Sequence, residues 1–268
     1  EAYFTDLFEA KWSESINLRS VAFSSWAGGA MAAMEYFNLK GKTVLCPSNT
    51  FMATPLTTMR VGAQVQFVDC NRHDLCVSFE DLKIKAEKYK PAAVWLVHIG
   101  GHIAFQVEEI AKLCKSKGIV LLEDCAHAHG ASWNGKRPGS WSDAGVYSFY
   151  ATKTVSTGEG GMLASDSHEL LDRARDLIEY DKKHDAVRRF NLKSTDIAAA
   201  IGRVQLARLP GFVRRRRRLA ALYRRELSGL DGIRLPRAPG SVYYRYVIET
   251  EDPAALISAL ASRRIAAA

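Results

Sequence analysis

Residues 143–163 read DAGVYSFYATKTVSTGEGGML, and this stretch decides the fold. Its first half predicts a short buried strand over 145–150, and its end predicts a second strand over 161–165. Lys153 and a glycine-rich turn lie between the two. Because ligands bind at the carboxyl ends of strands in open parallel sheets, Lys153 is a candidate functional residue, although a lone lysine is more often simply solvated.

Strands and helices alternate on both sides of this stretch. Apolar runs predict strands over 43–47, 64–69, 92–99 and 119–124, and helical patterns predict helices over 50–61, 105–116 and 167–179. The runs VWLVHI and IVLLED are nearly continuous in apolar residues, as expected for strands buried on both faces. The alternation therefore predicts an α/β fold with a mostly parallel central sheet and helices on both of its faces.

Two helices are predicted after this alternating region. The first covers 195–209, with Ser194 or Thr195 as its N-cap. The pair Pro210–Gly211 predicts a break or kink before the second helix, which is rich in arginine.

The composition changes again after Gly229. A segment rich in proline and glycine leads to a predicted strand over 242–250 and a predicted helix over 253–262. We therefore expect a large domain over 1–229 and a small C-terminal domain over 230–268, which we expect to be incomplete.

Composition excludes several classes of protein. The chain of 268 residues is 47% hydrophobic and 25% charged, which is typical of a folded globular protein and not of a disordered one. No apolar run approaches the roughly 18 residues that span a bilayer, so we expect no membrane partner. Its five scattered cysteines contain no CxxC pair, and they favour a reducing, cytoplasmic location.

The net charge of +8 is concentrated in residues 208–225, which contain eight arginines and no acidic residue. One interpretation is a helix with a solvated basic face. Its buried side would then be formed by Leu209, Phe212, Val213, Leu219, Ala220 and Leu222. A nucleic-acid surface is a weaker interpretation, because interleaved aromatic residues and a recognised binding motif are missing. A basic rim that steers an anionic substrate is a third.

A second strand end also carries chemically active residues. The sequence LLEDCAHAHGA, residues 121–131, places Asp124 at the end of a buried strand and His127 three residues later. A lone aspartate there is more often a helix cap or a structural partner. Together, Asp124 and Lys153 suggest pyridoxal phosphate, which needs a lysine for its Schiff base and a carboxylate against its pyridine nitrogen.

Four segments in order resemble the DegT/DnrJ/EryC1/StrS family of aminotransferases. Residues 148–161 follow S-F-x-x-x-K-x-x-x-x-G-E-G-G, and residues 123–131 are similar to E-D-x-A-H/Q-A-x-G. Residues 47–69 resemble P-x-x-T-F/W-x-A/S-T with a downstream G-A-x-x-x-F-V-D, and residues 190–209 resemble N-x-R-x-S/T-D-I-x-A-A-x-G-x-x-Q-L. The resemblance implies a pyridoxal 5'-phosphate enzyme of fold type I, in a family that often acts on nucleotide-linked keto sugars.

The resemblance implies a role for each matching residue around the cofactor ring. Lys153 forms the internal aldimine and then serves as the base that moves the proton. Asp124 pairs with the protonated pyridine nitrogen, where each pK unit is worth about 1.4 kcal/mol. His127 lies by the ring, and Phe51 stacks on its face.

At the cofactor phosphate, the chain departs from the family pattern. The family's S-G-T at a helix N-terminus corresponds here to Ser25, Trp26 and Ala27, so backbone amides can still be donated but the threonine hydroxyl is missing. Ser148 matches a hydroxyl that binds the phosphate. Asn191 matches a residue that reaches the phosphate from a partner subunit, which implies a homodimer with a shared active site.

Two further positions are implied to face the substrate. Lys193 stands where arginine is usual, which keeps the charge but loses the planar fork. Tyr244 falls where the family often has a histidine, although an aromatic residue packed in a small domain explains it equally well.

The resemblance implies ping-pong transfer of an amino group from glutamate or glutamine to a keto sugar. A cyclitol or another ketone stays open as the acceptor, as does a non-catalytic regulatory or nucleic-acid-binding protein on the same fold. Lys153 disfavours the related dehydratases, in which histidine replaces the lysine.

Two close groups, Cys70–His73–Cys76 and Cys125–His127–His129, lack a second ligand pair, so we expect no metal site.

Overall fold

The centre of the molecule is a sheet of seven strands. The computed structural model describes residues 3–181, 183–236 and 238–267. The strands are β1 (Arg19–Phe23), β2 (Thr43–Pro47), β3 (Gln64–Val68), β4 (Ala93–Val97), β5 (Val120–Asp124), β6 (Ala144–Ser148) and β7 (Gly161–Ser165). Their order is β1-β7-β6-β5-β4-β2-β3, and β7 runs antiparallel to the other six strands, which share one direction. The predicted α/β class with a mostly parallel sheet is therefore confirmed.

Helices cover both faces of this sheet. They are α1 (Tyr3–Ile16), α2 (Trp26–Tyr36), α3 (Ala53–Arg60), α4 (Phe79–Tyr89), α5 (Val107–Lys117), α6 (His168–Ile178), α7 (Asp196–Leu227) and α8 (Pro253–Ser262). Residues of α1, α4, α5 and α7 share one core cluster, and residues of α2 and α6 share the other. Within β4, Val94 and Leu96 belong to the first cluster, whereas Ala93 and Trp95 belong to the second. This alternation explains why the strand is apolar at every position.

The helix α7 differs from the prediction. It runs for 32 residues from Asp196 to Leu227, so the predicted division into two helices at Pro210–Gly211 is wrong. An interior proline costs a helix about 3 kcal/mol. Leu209 and Val213, on either side of the proline, are buried in the core and hold this part of the helix in place.

The arginine-rich half of α7 has a narrower buried face than predicted. Leu209, Val213 and Ala220 are buried, as their helical spacing requires. Leu219 and Leu222 are exposed, at 42% and 45%, so their predicted burial is wrong. These two side chains fall off the stripe that faces the core.

The chain after α7 contains little regular structure. Two short strands, β8 (Ile233–Arg234) and β9 (Glu249–Thr250), pair with each other, and α8 follows. The predicted strand over 242–250 is therefore wrong except at its end. Residues 240–245 form no strand here, and they bind to the loop after β4 and to α7 through separate hydrogen bonds that are described below. The division into two domains at residue 229 stays a prediction.

None of the described helices has the length and apolar character that crossing a membrane requires.

Candidate active site

Several of the predicted site residues come together at one edge of the sheet. Asp124 at the end of β5 pairs with Val146 of β6, and Ser148 ends β6 two residues later. Gly161 begins β7 at the same edge and pairs with both Ser148 and Phe23. Parallel strands end at a common edge, which is why residues distant in sequence meet here.

Gly161 brings the lysine loop against the start of α2. A Cβ atom at this position would lie 2.3 Å from the backbone oxygen of Ser25 and 2.7 Å from the amide nitrogen of Trp26. Any other residue would therefore push β7 away from α2. The glycine-rich turn that the sequence analysis singled out is thus needed for a close approach of two backbones.

Asp124 is buried and only partly satisfied by hydrogen bonds. One carboxylate oxygen accepts from the amide of Ala126 at 3.0 Å, and the other accepts from the hydroxyl of Thr54 at 3.1 Å. Burial raises the pKa of Asp124, and the Ala126 amide and the positive charge of Lys153 offset that rise only in part. An additional cationic partner would therefore stabilise the charged form of Asp124.

Lys153 faces an aromatic ring from the far end of the chain. Its Nζ lies 5.1 Å from the ring centroid of Tyr244, within the range of a cation–π contact. The Tyr244 hydroxyl lies 3.3 Å from Oγ1 of Thr152, next to Lys153 in sequence. Tyr244 is only 8% exposed. The structure therefore places Tyr244 in the cluster of Lys153, and its role toward a substrate stays a prediction.

His127 completes this cluster. Its ring stacks on Tyr244 with centroids 4.1 Å apart and planes inclined by 22°. Burial lowers the pKa of His127 to about 3, and the charge of Lys153 contributes to that shift. The imidazole is therefore neutral at physiological pH. Its Nδ1 is buried and has no hydrogen-bond partner among the described residues.

The start of α2 offers amide groups beside Ser148. Ser25 caps the helix, and its hydroxyl accepts from the amide of Gly28 at 3.2 Å. The Trp26 ring packs into the core against Trp95, with centroids 5.3 Å apart, so it does not fill the space in front of the helix. The departure from S-G-T thus removes a hydroxyl at Ala27, while the bulky ring of Trp26 is accommodated in the core.

Phe51 is a largely exposed aromatic residue. It follows β2 and is 71% exposed, an unusual state for a large apolar side chain. Its backbone oxygen accepts from the amide of Thr54, the residue that binds Asp124. Phe51 is therefore linked to Asp124 through Thr54, and most of its ring surface is exposed.

Two predicted residues lie outside this cluster. Asn191 is exposed, and its neighbour Leu192 accepts a hydrogen bond from the amide of Ser24, at the connection between β1 and α2. The ammonium of Lys193 binds the carboxylates of Glu179 at 2.9 Å and Asp181 at 3.5 Å. Its role toward a substrate stays a prediction.

The sequence analysis missed Thr54 and Thr152, which bind Asp124 and Tyr244. Both lie inside segments that it had quoted, PSNTFMATP and SFYATK, so their nearness to Phe51 and Lys153 was the available signal. It also interpreted the arginines of α7 as one basic face, whereas Arg216 and Arg217 bind backbone oxygens of this chain.

The groups considered as metal ligands assemble differently from their spacing. Cys76 lies with Asp74 and His102, and not with His73. The Asp74 carboxylate already accepts from the amides of Cys76 and Phe105, at 2.9 and 2.7 Å. These hydrogen bonds hold a loop together.

Comparison with known proteins identifies the family. The sequence profile of the DegT/DnrJ/EryC1/StrS aminotransferase family matches residues 3–268. GDP-perosamine synthase of Vibrio cholerae is 34% identical over 235 residues, which are 85% of this chain and 63% of that protein. The dTDP-3-amino-3,4,6-trideoxy-alpha-D-glucose transaminase of Streptomyces venezuelae is 33% identical over 233 residues, 84% of this chain and 61% of that protein.

A solved structure agrees with these sequences. The crystal structure of S. venezuelae DesV in complex with a ketimine intermediate superimposes with a TM-score of 0.92 at 30% identity, covering 98% of this chain and 72% of that one. The chain spans less than two thirds of the length of the two relatives above. The resemblance of the four sequence segments is confirmed, and the chain belongs to the DegT/DnrJ/EryC1/StrS aminotransferase family.

Proposed function

We propose that this protein is a pyridoxal-phosphate-dependent aminotransferase that moves an amino group from glutamate or glutamine to a nucleotide-linked keto sugar. The observation that carries the proposal is the cluster at the sheet edge. There, Lys153 stands beside a buried and incompletely satisfied carboxylate, Asp124, and a neutral imidazole, His127. Pyridoxal phosphate needs both groups: a lysine for its Schiff base and a carboxylate against its pyridine nitrogen.

The residues present fit the cofactor. Burial raises the pKa of Asp124, so a cationic pyridine nitrogen beside it would be stabilised. Nδ1 of His127 is a buried polar atom without a partner in the described chain, and the exposed ring of Phe51 offers a stacking face. The N-terminus of α2, with Ser148 near it, suits a phosphate.

Each side chain then has a distinct task in the reaction. When bound, pyridoxal phosphate supplies an electron sink and the carbon that carries the amino group. Asp124 would keep the pyridine nitrogen protonated. Lys153 would hold the group through its Nζ and would carry a proton to and from the amine-bearing carbon. Neutral His127 packs without adding a second positive charge.

The acceptor class follows from the relatives' own names. Similar proteins include a dTDP-4-dehydro-2,3,6-trideoxy-D-glucose 4-aminotransferase and a UDP-N-acetyl-3-dehydro-alpha-D-glucosamine 3-aminotranferase. These names share a ketone on a sugar joined to a nucleoside diphosphate. We extend that class to this chain. A cyclitol or another carbocyclic ketone is the second candidate acceptor.

The test is an amino-transfer assay with the purified protein and a panel of acceptors. GDP-, dTDP- and UDP-linked 3- and 4-keto sugars are compared with keto-cyclitols, using glutamate and glutamine labelled with ¹⁵N. We expect label in a nucleotide-sugar product, and none with Lys153→Ala. Label in a cyclitol alone would replace the acceptor class, and no transfer to any ketone would contradict the proposed function.

A nucleic-acid-binding role receives no support from the arginines of α7. Arg216, Arg217 and Arg224 donate hydrogen bonds to backbone oxygens of this chain, and so part of the basic run is used internally. An electrophoretic shift of DNA that weakens steeply with salt would reverse this conclusion.

We also propose that the working form is a homodimer with shared sites. Four apolar side chains on and just before α3 are more than half exposed. They are Phe51, Met52, Leu56 and Met59. Exposed apolar faces of this kind mark protein–protein contacts.

Subunit mixing tests the shared site. If Asn191 acts in the partner's site, inactive Lys153→Ala and impaired Asn191→Ala subunits should regain activity when mixed, because one site of each hybrid has both native residues. Failure to regain activity, with hybrids shown by mass spectrometry, would place Asn191 outside the partner's site. A monomer by light scattering would contradict the dimer.

We further propose a cytoplasmic location. All five cysteines are free, and four of them are buried. A disulfide in protein isolated from its native host would contradict a reducing compartment.

A further inference from the structure

The segment Gly240–Arg245, here called the strap, carries Tyr244 to Lys153 and is held from two sides. On one side is the loop after β4. Gly101 accepts from the amide of Val242 at 2.8 Å and from the hydroxyl of Ser241 at 3.0 Å, and Gly100 accepts from the amide of Arg245 at 3.0 Å. These bonds fix the strap on the loop.

The contact between strap and loop is close. A Cβ atom at Gly101, where φ is +103°, would lie 2.5 Å from the amide nitrogen of Tyr244. Tyr243 itself adopts a left-handed conformation, with φ of 49°. A strained residue persists only where its surroundings hold it, so the strap needs restraint from its other side as well.

Two arginines of α7 supply that restraint. Arg216 donates from one guanidinium nitrogen to the backbone oxygens of Tyr243 at 3.1 Å and Tyr244 at 3.4 Å. Arg217 donates to Ser241 at 2.9 Å and to Gly240 at 3.2 Å. Four strap carbonyls are thus bound by two neighbouring side chains, and hydrogen bonds from a charged donor are stronger than neutral ones.

We propose that Arg216 and Arg217 are positioning residues that hold the ring of Tyr244 over Lys153 and His127 by clamping the strap to α7. The arginine run then serves the active site from behind. The clamp sets the room above Lys153 that an acceptor ketone must enter, and in this respect the proposal rests on the proposed aminotransferase function.

The first experiment needs neither cofactor nor activity. Hydrogen–deuterium exchange of the cofactor-free protein reports the opening of the amides of Val242 and Arg245. We expect Arg216→Met and Arg217→Met to speed this exchange roughly 10- to 100-fold, the effect of losing a charged hydrogen bond. Arg215→Met and Arg218→Met are matched controls, because these exposed arginines make no hydrogen bond to the strap among the described residues. Equal exchange in all four variants would overturn the clamp.

The second experiment asks whether the clamp acts through Tyr244. The assay uses the acceptor that the amino-transfer panel identifies. Arg217→Met should raise the KM for this acceptor about tenfold and leave the KM for the amino donor near its native value. Added to Tyr244→Ala, it should have no further effect on the acceptor KM. Full additivity of the two changes, or a strap that opens without any change in acceptor KM, would overturn the positioning role.

Two further variants keep the test decisive. If Arg217→Met does not fold, Ser241→Ala loosens the strap on the side of Gly101 without touching α7, and the same change in exchange and acceptor KM is expected. Arg217→Lys keeps the charge but loses the fork, and it should restore only part of the protection. If the native protein transfers no amino group, the proposed function fails, whereas the exchange experiment still decides the clamp.

Discussion

Glu123 and Asp124 are adjacent, buried carboxylates at the end of β5, and their surroundings are opposite. Glu123 accepts from Nε2 of His98 at 2.6 Å and from the amides of Gly139 and Trp141 at 2.7 and 2.9 Å. Burial alone would raise the pKa of Glu123, but the His98 hydrogen bond and its companions outweigh burial and lower it. The pKa of Asp124, with two partners, is raised by burial.

The difference separates a structural carboxylate from a functional one. Successive strand residues point to opposite faces, so the sheet divides the two environments. On one face, both carboxylate oxygens of Glu123 accept hydrogen bonds from within the chain. On the other, a carboxylate with unused capacity faces a lysine, which is the pattern of a site that awaits a ligand.

The largest expected effect comes from removing the lysine that Asp124 faces. Lys153→Ala should abolish amino transfer, because no other group in the cluster can hold the cofactor covalently. The circular dichroism spectrum and unfolding temperature should stay near those of the native protein, since Lys153 is only partly buried. Turnover by a folded Lys153→Ala variant would show that the cluster of Asp124 and Lys153 is not the active site.

The next effect separates the two carboxylates by activity. Asp124→Asn should lower turnover about 100-fold or more, if the pyridine nitrogen loses two pK units of support. The same change should not destabilise the cofactor-free protein at neutral pH, because the charged form of Asp124 is disfavoured by burial. Kinetics and urea unfolding of one preparation measure both. A marked loss of stability would show that Asp124 is structural like its neighbour.

Glu123→Gln should give the opposite result. The amide would present a donor to the N–H groups of Gly139 or Trp141 and remove the charge opposite His98, so unfolding should require about 3 kcal/mol less. Any protein that stays folded should keep a near-native KM for the amino donor. A Glu123→Gln protein as stable as the native one would remove the structural half of the comparison.

The smallest expected effect is on how the stability of the protein depends on pH, through His127 in the same cluster as Asp124. His127 has a folded pKa of about 3, below the usual value of an unfolded histidine. Its contribution to stability is therefore complete above about pH 6.5 and is lost as the pH falls from there toward 3. At pH 5.5, His127→Asn should remove about 1 kcal/mol of the acid-induced loss. The same substitution at the exposed His184 is the control.

Much of the fold could be predicted because the local signals agreed. The apolar runs of β2, β4, β5 and β6 were recognisable, since strands covered on both faces contain few polar residues. The helix α4 was not predicted, although Ser78 caps it by accepting from the amide of Asp81, a recognisable start signal. The helix α1 was not predicted either, because its helical state depends on the packing of Phe8 and Trp12 in the core, which no local pattern reports. Pro210 misled for the same reason: packing of Leu209 and Val213 outweighs a local signal.

The site could be predicted as far as its motifs reached. Lys153, Asp124 and His127 lie in quoted segments and meet as expected. The contact of Tyr244 with His127 and Lys153 joins residues more than ninety positions apart, and no periodicity reports such a contact. The clamp was hidden because an arginine bound to backbone oxygens has the same sequence signature as a solvated one.

The central claim is that the unsatisfied side of this sheet edge binds pyridoxal phosphate through Lys153. Borohydride reduction of the purified protein, followed by peptide mass mapping, tests it directly. We predict a pyridoxyl adduct on Lys153, and its loss from Lys153→Ala. No adduct after addition of pyridoxal phosphate, or an adduct only on surface lysines, would contradict the claim.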